Sequence, residues 1–145
     1  MHAVHWEDFE RSAPELAAFG RDRLEGRVAF LATVRPDGSP RVHPVEAWFA
    51  AGRVFVRMWP TSPKVRDLQR DPRYALHSLM DNFEGAGGEF FVAGRAARVD
   101  DPTLITAASV GKHDPEQYVL FEFGVEEAIG TTYEGDEPVR RRWRA

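Results

Sequence analysis

Turn-forming residues cut most of this chain into β-rich runs too short to do anything but pair with one another. "RVAFLATV" reads as a buried strand, and "RPDGSP" follows it with Pro, Asp and Gly in the order that turns demand, so the returning "RVHPVEAWFA" closes a hairpin. "AAGR" makes a second turn into "VFVRM". "YALHSLM", the glycine-rich loop "DNFEGAGG", "EFFVAGRAARV", "YVLFEFGVEEAIGTTY" and "VRRRWRA" continue the pattern. Pro44 removes a ladder N–H, so its strand needs an edge, a bulge or a ligand at that point. Gly94 marks a bulge or a close backbone approach. Many short strands, few helices and one core predict a mainly β fold with flanking helices, an antiparallel barrel.

Three helices are expected. "SAPELAAFGRDRLEG" begins with Ser12 as cap and Glu15 completing a capping box, carries Leu16 and Phe19 on its apolar edge, and ends at Gly26. "TSPKVRDLQRDPR" places Val65 and Leu68 on an inner face and stops at Asp71-Pro72. "DDPTLITAASVGK" is a helix started by Asp101 and Pro102. At 145 residues the whole chain, 1–145, is expected to form a single domain without a linker.

Composition narrows the chemistry. The absence of cysteine removes disulfides, thiolate metal sites and cysteine nucleophiles, and suits a reducing cytoplasm. A net charge of −4 argues against nucleic acid as a partner. The longest apolar run, "VAFLATV", is far short of the roughly 20 residues that span a bilayer, and the acidic "MHAVHWEDFE" does not read as a signal peptide. A soluble, cytoplasmic protein is expected. The histidines at 2, 5, 43, 77 and 113 lack metal-site spacing, so no metal is expected. No G-x-S-x-G elbow is present, and Glu84 and Glu89 read as loop acids. No catalytic side chain is therefore assigned.

Two stretches admit two readings each. At the start of the second helix, Ser62 and Lys64 would hold a phosphate against the backbone N–H groups, or Ser62 and Pro63 would form an ordinary capped start beside a solvated lysine. In the tail, Arg140, Arg141, Arg142 and Arg144 around Trp143 form a basic patch for an anion or a solvated terminal strand.

The order of these signals decides the first case. "LATVRPDGSPRVHPV", then "GRVFVRMWPTSPKVRDLQRDPRYALHS", then "GEFFVAGRAARV" resembles the flavin-binding split β-barrel family typified by pyridoxamine 5'-phosphate oxidase, over roughly residues 28–99. The resemblance implies a six-stranded antiparallel split β-barrel, homodimeric, with flavin mononucleotide (FMN) held at the subunit interface. It places the FMN phosphate on Ser62 and Lys64, with Arg57 and Met58 on the preceding strand as further contacts. His43, Pro44 and Val45 match the strand that runs along the flavin ring, and Glu89 matches a position that often carries a ring-contacting glutamine. Arg142 and Trp143 would reach the partner subunit's site.

Departures from the oxidases proper bear on the reaction. His43 stands where they carry arginine, Pro63 where they carry a basic residue, and Glu89 where they carry glutamine. Relatives on the same barrel bind deazaflavin or haem. The resemblance therefore implies a flavin-dependent oxidoreductase acting on a small molecule, with a deazaflavin enzyme, a non-catalytic flavin or haem carrier, or a ligand-free interaction module as alternatives.

Overall fold

A computed structural model describes residues 2–109 and 115–145. His113 and the end of the helix expected over residues 100–112 lie outside the described residues. Two helices, α1 (Trp6–Ser12) and α2 (Pro14–Leu24), precede β1 (Val28–Val34), β2 (Pro40–Glu46), β3 (Trp48–Ala50) and β4 (Arg53–Met58). Then come α3 (Pro63–Arg70), β5 (Arg73–Ser78), β6 (Glu89–Arg98), α4 (Pro102–Ala108), β7 (Val119–Glu134) and β8 (Glu137–Arg144). None of the described helices is long and apolar enough to cross a membrane.

The class is mainly β with flanking helices, as expected, but the sheet has eight strands rather than six. Its hydrogen-bonded path runs β2-β1-β5-β6-β7-β4-β3, with β8 paired to β7, and all the ladders are antiparallel. No ladder joins the two ends of that path, so the barrel is not closed by strand pairing. Those ends, β2 and β3, are consecutive in the chain: "RVHPVEAWFA" is broken at the buried Ala47, which forms a parallel bridge to Glu25. The break supplies one strand beyond the expected set. The 16-residue β7 is long enough to pair with β6, β4 and β8 at once.

The core lies inside this curled sheet. Leu31, Val54, Val56, Met58, Leu76, Phe90, Val92, Phe121 and Phe123 come from alternate positions of their strands, and Val65 and Leu68 of α3 cap one end. The apolar pair Trp6 and Phe9, three residues apart, makes α1 a helix with one buried face. That helix displaces the expected cap. Ser12 is the last residue of α1, Ala13 occupies the N-cap of α2, and the Ser12 hydroxyl accepts a hydrogen bond from Trp143 Nε1 at 2.8 Å. The capping-box pattern lost to a tertiary contact.

Arg23 ties α2 to the glycine-rich loop. Its guanidinium is buried and donates to Leu79 O at 2.7 Å and to Asp81 at 3.0 Å. Arg23→Met removes a buried charge together with its bonds to Leu79 and Asp81 and leaves the Leu79 carbonyl without that donor. We expect a loss of about 1–3 kcal/mol, read by urea denaturation. An unchanged midpoint would mean that the loop is not anchored through Arg23.

Candidate functional site

The site is built where the chain leaves β4 for α3. Ser62 is extended and occupies the N-cap of α3, Pro63 is its first residue, and the backbone turns through Ser62 N–H to Trp59 O at 2.9 Å. The Ser62 side chain caps no backbone N–H. Its hydroxyl instead accepts from Lys64 Nζ at 2.8 Å. The first turn carries no acid and no side-chain cap; Pro63 brings no N–H and Val65 N–H donates to Ser62 O at 3.1 Å, which leaves the Lys64 N–H as its donor.

Lys64 is half-buried, and burial pushes its ammonium below the usual lysine range. Among the described residues no carboxylate lies within ion-pair distance of it. The acid three residues further along α3, Asp67, is already committed. Asp67 is buried, and its carboxylate accepts from Thr33 Oγ1 at 2.8 Å, Arg41 Nε at 2.7 Å and Arg70 Nη2 at 3.2 Å. Burial alone would raise the Asp67 pKa, and the bonds from Arg41, Thr33 and Arg70 overcome it and hold the group ionised. The residue types explain the result: two arginines consume one aspartate, and the lysine is left over.

β2 passes along this helix start. Its residues alternate, with Arg41, His43 and Val45 half-buried and Pro40, Val42, Pro44 and Glu46 exposed. Val45 packs on the core. Burial lowers the His43 pKa, and the charges of Lys64 and Arg41 lower it further, against Asp67. A neutral imidazole thus stands beside the Lys64 cation. Pro44 points to the opposite face, so only its backbone lies on the side of His43. β2 is the terminal strand of the path and pairs only with β1, so one backbone edge is unclaimed by the sheet. Its proline sits on an edge strand, one of the three placements that Pro44 required.

The remaining candidates are elsewhere. Met58 is in the main core at 1% exposure, and its neighbour Arg57 necessarily faces the other way, over the Trp48 ring at 4.0 Å. The acidic groups that act on Arg57 are Glu46 and Tyr118, not those around Lys64. Glu89 pairs in register with Thr131 at the start of β6. Trp143 is turned inward, its ring 4.8 Å from that of Phe9, while Arg142 faces the other side with Glu127 at 3.7 Å. The tail is a paired strand, not a frayed terminus.

The ladders put Arg142 on a defined row. Pro44, Phe30, His77, Phe91, Ile129 and Arg142 lie side by side on β2, β1, β5, β6, β7 and β8. Thus Ser62 and Lys64 share a hydrogen bond and His43 lies within electrostatic reach of Lys64, while Val45 packs on the core and Pro44 and Arg142 stand five strands apart on one outer row. Sequence reasoning missed Arg41 and Asp67. The available signal was an aspartate set between Val65 and Leu68 on an amphipathic helix.

Fold and site together define a small antiparallel β protein with a cationic helix start beside an edge strand. The chain belongs to the pyridoxamine 5'-phosphate oxidase family, whose sequence model matches residues 14–131. No curated protein matches it. Its fold is shared by a haem-binding protein from Mycobacterium smegmatis at 17% identity and a TM-score of 0.68, covering 88% of this chain and 56% of that one. The chain thus spans little over half the length of that relative. A pyridoxamine 5'-phosphate oxidase-related, FMN-binding protein from Nostoc punctiforme has a TM-score of 0.67 at 14% identity, covering 94% and 90% of the two chains. A haem storage protein from Vibrio cholerae has a TM-score of 0.59 at 21% identity, covering 79% and 89%.

Proposed function

We propose that this chain binds FMN, with the phosphate at Ser62 and Lys64 and the flavin ring along β2, and acts as a cytoplasmic oxidoreductase on a small molecule. The observation that carries the reading is Lys64, a half-buried ammonium at a helix start that no carboxylate neutralises among the described residues. A phosphate supplies the missing anion, and the Lys64 backbone N–H at the positive end of α3 supplies a further donor. The residues present fit the group.

When bound, the flavin supplies the hydride or electron transfer. The chain's own part is to bind and orient. Lys64 and Ser62 fix the phosphate, and the free edge of β2 offers backbone donors and acceptors at a defined spacing. His43 adds a neutral imidazole beside them, able to donate or accept one hydrogen bond. Thr33, Arg41 and Arg70 occupy the Asp67 carboxylate, so the Lys64 cation is left for the phosphate. No nucleophile is required of the protein.

A homodimer belongs to the same proposal. Val28, Phe30 and Val42 are 50%, 41% and 61% exposed on neighbouring positions of β1 and β2, an apolar surface on the outer face of the sheet that a second copy would cover. Sedimentation should give a mass near twice 16.4 kDa. A concentration-independent mass near 16.4 kDa removes the dimer.

One observation favours haem as a second reading. His77 Nδ1 lies 2.6 Å from Ser78 O, a carbonyl that can only accept, so in the neutral imidazole Nε2 carries the lone pair that iron requires. Two of the solved neighbours are described as haem proteins. The absorbance spectrum of the protein after incubation with FMN, deazaflavin or haem separates the cofactors, since their bands differ. Oxidation of a reduced nicotinamide by the loaded protein then separates enzyme from carrier.

A further inference from the structure

We propose that the cavity between β4, the end of β6 and α4 is a binding site for a small oxyanion, a phosphate or a carboxylate, with Arg57 as its fixed cation. This site is separate from the groove at Lys64 and does not depend on FMN.

Strand alternation builds it. Phe55 and Arg57 face away from the core residues Val56 and Met58, and Phe55 forms a second apolar cluster with Leu120 and Ala108 of α4. Arg57 lies on the same side, in a cavity of about 100 Å³ that also meets Arg98, Asp100, Ser109 and Tyr118. Trp48 holds the guanidinium plane at 4.0 Å. That platform fixes the direction of the fork.

The charges are unbalanced. Arg98 pairs with Asp100 at 3.5 Å, which neutralises the rim. Among the described residues no carboxylate lies within ion-pair distance of Arg57, and its Nη1 is fully buried with no hydrogen-bond partner. A buried donor left unmade costs about 1–3 kcal/mol, so such groups are rare without a reason. An oxygen of a bound anion removes that cost. Burial lowers the Arg57 pKa against the pull of Glu46, in keeping with a cation short of its counter-charge.

Size selects the class. At about 100 Å³ the cavity is well below the roughly 300 Å³ at which organic cofactor sites begin. It excludes a flavin or a nucleotide. A planar fork matches the oxygens of phosphate or carboxylate.

Amide NMR titration of the full chain with inorganic phosphate and, separately, with acetate tests the proposal. We expect saturable shifts at Arg57, Val99 and Tyr118 with at least one ion, and the tighter of the two names the anion. The shifts persist in Lys64→Ala and weaken about tenfold or more in Arg57→Met, whose side chain still covers Trp48. Arg57→Gln, which keeps a neutral donor, serves as the second variant and should lose binding as well. Shifts confined to residues 62–64, shifts unchanged in either Arg57 variant, or no saturation with either ion would overturn it. Because FMN binding is read on Lys64→Ala, failure there and failure here are distinguishable.

Discussion

Lys64→Ala is expected to weaken FMN binding by about 1.5–3 kcal/mol, roughly 10- to 150-fold, and to leave riboflavin binding nearly unchanged. Riboflavin lacks the phosphate, so it reports on the ring groove alone. The loss is large because among the described residues Lys64 has no carboxylate partner: Asp67, three residues on, is taken up by Thr33, Arg41 and Arg70. Isothermal titration with both ligands measures it. Equal losses for the two would show that Lys64 acts through the fold.

The same residue carries a stability signature. Burial depresses the Lys64 pKa below the unfolded value of 10.5, so between the two values the unfolded chain binds the proton and stability rises with pH. Below both, the full cost of burying the ammonium remains. Lys64→Met without ligand should therefore be at least as stable as the parent protein at pH 7, with the difference fading as pH rises through the depressed value toward 10.5. A clear destabilisation at pH 7 would place Lys64 among the structural residues. A cation that weakens the empty protein and binds an anion is the pattern of a site that exchanges stability for function.

How far the sequence could be read follows the range of the forces involved. The strand runs, the hairpin at "RPDGSP", the α3 stop at Asp71-Pro72 and the bulge at Gly94 are set by local turn chemistry and alternation, and all were legible. The Ser12 cap was not, because the hydroxyl answers to Trp143, 131 residues away. The split of β2 from β3 comes at Ala47, which bridges to Glu25 at the end of α2, and no period-two pattern reveals it. In the site, Ser62 and Lys64 were readable as a helix start, and their hydrogen bond follows from a spacing of two residues. Arg57 and Met58 could not both aim side chains at one ligand, since adjacent strand residues face opposite ways. The charge balance that isolates Lys64 needs Arg41 and Thr33 brought to Asp67 from two other strands, a long-range fact.

Gly94→Ala should cost about 2–6 kcal/mol and lower the melting temperature by roughly 6–20 °C, the largest effect we expect of a single methyl group in this chain. Gly94 sits where the β6–β7 register shifts, in the middle of the sheet. A Cβ there would lie 2.1 Å from Gly124 O and 3.0 Å from Glu126 N, both backbone atoms that cannot rotate away. The obstacle is space, not backbone conformation. That same Gly124 carbonyl accepts the Tyr74 hydroxyl at 2.9 Å, and Tyr74 is buried against Phe123 with rings 4.4 Å apart. Pushing β7 back to admit the methyl therefore adds an overpacking cost of about 1–3 kcal/mol and a similar cost for a buried hydroxyl left without its acceptor. The displacement also reaches Val125, whose N–H and carbonyl exchange hydrogen bonds with Val4 at 2.8 and 2.9 Å, so the N-terminal segment should lose amide protection. Gly38→Ala is the control, since its φ of +87° strains an alanine while nothing lies within 4 Å of the added carbon. It should cost about 1–2 kcal/mol. A melting temperature for Gly94→Ala equal to that of Gly38→Ala would mean that β7 yields at the bulge without penalty, and the close approach would then not be what fixes the register of β6 on β7.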